Sequence, residues 1–214
     1  MFDWLKRRKV TSNPATVQIH ISHDDRVKGN AGVPELQVAA TTGFLPKVRE
    51  LLGKGADVHA RDNEGNTALR VCATVEIASL LIQKGADVNA RNDAGLTALH
   101  YASMLMEGYG DPLVRFYLAN GAILDVVGSA GVTPLLVALG HGNKAQAKRL
   151  LDAGATVTAQ RSDGMNALDI AIQKCPERDI VQILAAKGLR LNYKLLGAFD
   201  RDFLNQLLRQ TGLN

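Results

Sequence analysis

The chain has 214 residues, 46% hydrophobic and 21% charged, which fits a folded water-soluble protein with a sizeable core. No apolar run approaches the roughly 18 residues of a membrane span, and none follows the basic start "MFDWLKRRKVTSNPATVQIHI", so neither a spanning helix nor a secretory signal is expected. The net charge of +4 gathers at the ends: residues 1–28 carry six Lys/Arg against three Asp/Glu, 187–214 five against two, and 29–186 fourteen against sixteen, which argues against nucleic acid as partner because a duplex binder needs cations along its working face.

Residues 1–28 read as a tail or cap, partly mobile: "FDWLKRR" fits a short amphipathic helix and "TVQIHI" alternates like a strand. From residue 29 the chain repeats itself. Glycines ahead of each inner helix fall at Gly32, Gly65, Gly95, Gly131 and Gly164, in steps of 33, 30, 36 and 33. Glycines closing each helical pair fall at Gly55, Gly85, Gly121, Gly154 and Gly188, in steps of 30, 36, 33 and 34. Thr67, Thr97 and Thr133 supply hydroxyls suited to capping the first helix of a pair. Ala39, Ala40, Ala73, Ala102, Ala138 and Ala171 are small enough for the next helix to approach. The second helix carries Val48, Leu51 and Leu52, then Leu81 and Ile82, Tyr117 and Leu118, Leu150 and Leu151, Ile183 and Leu184, facing neighbouring units. The closing glycines suit a left-handed C-terminal cap. Residues 193–214 read as capping helices, with a helix from about Arg201 to Arg209 between Asp200 and Gly212.

The segments "DNEGNTALRVCA", "NDAGLTALHYAS", "SAGVTPLLVAL" and "SDGMNALDIAI", with the more degenerate "NAGVPELQVAA" before them and "GADVNA"-like stretches after each pair, resemble the ankyrin repeat five times over residues 29–192. The resemblance implies an all-α fold, an ankyrin-repeat solenoid of stacked helix-turn-helix units with hairpin-like loops, since one unit cannot bury its apolar face alone. It implies for His100 a hydrogen bond that organises neighbouring loops. Asp169 stands where the family has that histidine, which calls for no catalytic account. The family's role implies a module that binds another protein through its concave face and loop tips.

Two irregularities stand out. The second repeat is three residues short and the third three residues long, with "MLMEGYGDPLV" inserted between its helices. The insertion puts Met104, Met106 and Tyr109 at a helix end that the family resemblance assigns, with the hairpin tips, to the binding surface; Met and Tyr are favoured there. The alternative is that Met104 or Leu105 packs the interior and the loop is drift. The candidate tip residues are Arg61, Asn63, Glu64 and Asn66, then Arg91, Asp93 and Leu96, with Val127, Ser129 and Val132 in the fourth repeat, and Gln160, Ser162, Asp163 and Met165 in the fifth. Their variation also fits loops free of constraint.

Catalytic chemistry finds no support. There is no G-x-S-x-G, no phosphate loop and no H-E-x-x-H. His20 and His23 have metal-ligand spacing but no anchored third ligand, so no metal and no cofactor are expected. Cys72 and Cys175 read as small buried hydrophobes in a reducing, cytoplasmic compartment. The expectation is a non-enzymatic, monomeric adaptor or inhibitor. The short basic start suggests a bacterial protein, for which an immunity protein or a host-directed factor is an alternative. A further alternative is membrane-surface attachment through Phe2, Trp4 and the run Lys6, Arg7, Arg8, Lys9.

Overall fold

The computed structural model describes residues 33–106, 108–190 and 209. The expected tail with its lipid-facing segment, His20 and His23, and most of the C-terminal cap lie outside the described residues; Arg209 is helical and exposed. The chain divides into two compact units, Met1–Asp87 and Val88–Asn214. The described residues hold five helix pairs, and their only β pairing is an isolated bridge between Gln160 and Asn166. The fold is all-α.

The first unit contains α1 (Glu35–Thr42), α2 (Leu45–Gly53), α3 (Ala68–Val71) and α4 (Val75–Gln83). Helix α1 stops at Gly43, whose φ of 75° a side chain would resist; Phe44 N–H then donates to Ala39 O at 3.1 Å. Pro46 sits in the first turn of α2, where its missing N–H has no helical partner to lose. Thr67 Oγ1 accepts from Arg70 N–H at 3.3 Å to start α3, and Thr74 Oγ1 accepts from Ile77 N–H at 3.3 Å to start α4. The three missing residues leave α3 a single turn. Ala73 N–H donates across to Ala40 O at 3.1 Å. Leu36, Ala40, Val48, Leu69, Cys72, Ile77 and Leu81 form the core between α1 and its neighbours α2 and α3 and between α3 and α4.

The second unit contains α5 (Ala98–Met104), α6 (Gly110–Ala119), a 3-10 turn (Ser129–Gly131), α7 (Pro134–Gly140), α8 (Lys144–Asp152), α9 (Ala167–Lys174) and α10 (Arg178–Ala186). The short helices α5, α7 and α9 pack side by side, and each carries its partner α6, α8 or α10. Ala102, Ala138 and Ala171 are fully buried, as close helix approach requires. Tyr117, Leu150 and Leu184 are fully buried, and the residue beside two of them, Leu118 and Ile183, lies half-buried one step round the helix. Each fully buried Leu contributes roughly 1.5–3 kcal/mol of transfer free energy. The closing glycines, from Gly55 to Gly188, have φ between 83° and 93°. A Cβ added at any of them meets nothing within 4 Å, so the backbone angle demands glycine there, and space does not. The two cysteines are buried, as expected.

Side chains stitch successive repeats of this unit together. Asn89 donates to Gly121 O at 3.0 Å and accepts from Ile123 N–H at 2.8 Å. Asp125 does the same work one repeat later, accepting from Thr156 N–H at 2.9 Å and its hydroxyl at 2.7 Å.

Candidate interaction surface

The hairpin loops are built from their acidic and amide residues outward. In the first unit Asp62 accepts from the N–H groups of Glu64 and Asn66 at 2.9 and 2.8 Å, from Asn66 Nδ2 at 2.9 Å and from Gln37 Nε2 at 2.6 Å. Burial alone would push this carboxyl up, but the bonds from Asn66, Glu64 and Gln37 hold it below the usual carboxylate range. Asn66 is 6% exposed and faces inward to close the turn. Arg61, Asn63 and Glu64 are exposed, and Arg61 spans its own loop to donate to Gly65 O at 3.0 Å.

In the second unit Asn92 takes the place of Asp62 and accepts from Leu96 N–H at 2.8 Å. Arg91 repeats the brace, donating to Gly95 O at 3.2 Å and also to Val127 O in the next loop. Neighbouring loops are joined through the backbone, Ser129 N–H to Ala94 O at 2.7 Å and Ser162 N–H to Ala130 O at 2.9 Å. Asp93, Val127, Ser129, Gln160, Ser162 and Asp163 are exposed on this joined row, while Leu96, Val132 and Met165 are half-buried. Asp163 accepts from Met165 N–H at 3.1 Å and pairs with Arg161 at 2.8 Å.

Behind the loops, the role that the family resemblance implied for His100 is present. Its Nδ1 accepts from Thr97 N–H at 3.1 Å, so the ring proton belongs on Nε2, which faces Val132 O at 3.4 Å. The ring thus caps its own helix and reaches the adjoining loop.

The insertion follows α5. Met104 is its last residue and half-buried, whereas Met106 is 73% and Tyr109 45% exposed. Its base is fixed by the next repeat. Asn143 Nδ2 donates to Ser103 O at 2.9 Å and Gln146 Nε2 to Leu105 O at 2.8 Å, which satisfies carbonyls that the end of α5 leaves open. Gly110 lies so close to Ala102 O and the Gln146 amide that a Cβ would collide with both. Asp111 then accepts from Arg149 on α8 and from Arg115 on α6, the latter at 2.8 Å. Burial would push the Asp111 carboxyl up, but the Arg149 and Arg115 bonds and charges hold it below its ordinary range. Asn143, Gln146 and Asp111 escaped sequence reading, although a glutamine at a buried phase of α8 was a usable signal.

The insertion and the loop tips do not merge. They sit at opposite ends of the seven-residue α5, about 10 Å apart along its axis. Among the described residues no group of three or more His, Cys, Asp or Glu is placed to hold a metal ion, and no helix is long and apolar enough to cross a membrane.

Short helix pairs, packed in register and joined by hairpins that close on a left-handed glycine, define a helical-repeat protein. The family model of ankyrin repeats (3 copies) matches residues 36–109 and 104–194, and the chain belongs to the ankyrin-repeat family. A comparison with curated proteins gave no match. The family typically serves as a non-catalytic module for protein–protein interaction.

Proposed function

We propose that the chain is a non-enzymatic binding module, an adaptor or inhibitor that acts by occupying or tethering a partner protein. The observation that carries this reading is the insertion: Met106 and Tyr109 are strongly exposed on a segment whose base is clamped by Asn143 and Gln146. An exposed methionine and tyrosine on a fixed base offer apolar contact area with little ordering cost on binding. The second contact zone is the row of tips, with Asp93, Leu96, Ser162, Asp163 and Met165 in the second unit; the tip residues of the first unit are Arg61, Asn63 and Glu64. Asn66 leaves the set, because its side chain is spent on the turn. Two buried cysteines fit work in the reducing cytoplasm.

The test is affinity capture from the native cell lysate with wild type, with Met106→Ala/Tyr109→Ala, and with Asp93→Ala/Ser162→Ala/Asp163→Ala. A protein held by wild type and lost by the first variant is the expected result. Equal recovery by all three would remove both zones from the binding surface.

A further inference from the structure

We infer that residues 34–87 open as one cooperative block while the helices of residues 98–186 stay folded. The sequence deletion is the cause. It cuts α3 to four residues, one turn, and a single turn does not recover the cost of helix nucleation by its own hydrogen bonds. Helix α3 therefore depends on its packing against α1 and α4. In stacked repeats stability is a sum of unit terms and neighbour terms, and about three repeats are needed before the sum turns favourable. Among the described residues the first unit holds two helix pairs, one of them truncated, and the second holds three.

The block opens as a whole because its two pairs are tied to each other. Ala73 N–H is bound to Ala40 O at 3.1 Å and Gln37 Nε2 to Asp62 at 2.6 Å, so α1 cannot leave without orphaning the loop and the end of α3. In the second unit Asn89, Asp125, Asn143, Gln146 and Arg149 each bind a neighbouring repeat.

The chain carries its own reporters of this behaviour. It has two cysteines, one in each unit, and both are buried. The experiment labels the intact chain with iodoacetamide under native conditions and in low urea, and follows Cys72 and Cys175 separately by peptide mass spectrometry. Cys72 should be modified at least about tenfold faster than Cys175, with a shallower urea dependence, since a sub-global opening exposes less surface. Leu69→Ala, which removes a buried side chain from α3, should speed labelling of Cys72 and leave Cys175 unchanged, even where the first unit unfolds outright. Equal rates with equal urea dependence, faster labelling of Cys175, or a Leu69→Ala effect that reaches both thiols would each overturn the inference.

Discussion

Asp169 Oδ2 accepts the backbone N–H of Asn166 at 3.1 Å, the same bond that His100 Nδ1 makes to Thr97 N–H two repeats earlier. A carboxylate and an imidazole therefore do one job: each returns from the third helical position to satisfy the N–H of the residue that caps its helix. Asn166 completes the exchange, its Oδ1 accepting from Leu168 and Asp169 N–H at 2.8 and 3.1 Å. Asp169 is fully buried and Asn166 half-buried, so the loss of the carboxylate would leave that N–H without this partner. Asp169→Ala should cost about 1–2 kcal/mol, the worth of a lost cap hydrogen bond. Asp169→Asn keeps an acceptor oxygen and should cost less. Urea unfolding of the two variants beside wild type checks the order; equal losses would mean the N–H bond contributes little.

The Asp111 pair to Arg149 and Arg115 makes a prediction about acid. Its carboxyl titrates below the ordinary carboxylate value of about 3.9 in the folded state. The unfolded chain therefore binds that proton first as pH falls. The stabilisation is complete above the unfolded value and is lost as pH drops through the folded one. Arg115 is well exposed and contributes little; the partly buried Arg149 carries most of the effect. Asp111→Asn should destabilise by about 1–2 kcal/mol at neutral pH, the scale of a charged hydrogen bond partly screened by water. The gap to wild type should close as pH falls below the ordinary carboxylate value of about 3.9. Thermal melts from neutral pH to below that value decide it, and a gap that does not change with pH would assign the loss to packing.

What could be read in advance was local. The glycine period fixes the helix pairs because each closing glycine needs a left-handed φ, and Thr67 and Thr133 cap because a hydroxyl three residues before a free N–H is a short-range device. What could not be read was where polar side chains point. Arg61 and Arg91 look like recognition residues at a tip, yet both guanidinium groups brace the carbonyl of the glycine four residues on. Asn143 and Gln146 fix the insertion by reaching back 40 and 41 residues, a distance no local pattern encodes. The same limit hid the separation of the insertion from the tips, since adjacency in sequence says nothing of which end of a short helix each occupies.

Two glycines of the second unit separate space from backbone angle. Gly121 has φ 83° and open room around a would-be Cβ, so Gly121→Ala meets only the cost of a left-handed residue, about 1–2 kcal/mol. Gly110 lies outside the left-handed region, but its Cβ would strike Ala102 O and the Gln146 amide. One of these is backbone and the other is held by its bond to Leu105 O, so neither can yield cheaply. Gly110→Ala should therefore cost more than Gly121→Ala, about 2–3 kcal/mol on the scale of overpacked cores. It should also break the Gln146 clamp and loosen the turn that presents Tyr109. Hydrogen exchange gives the specific check. Gly110→Ala should speed exchange of the Tyr109 and Gly110 amides, which donate to Met106 O at 3.1 and 3.2 Å, while Gly121→Ala leaves them as in wild type. Should both substitutions cost the same and spare those amides, the crowding at Gly110 is relieved by a shift elsewhere and the clamp is not what holds the insertion.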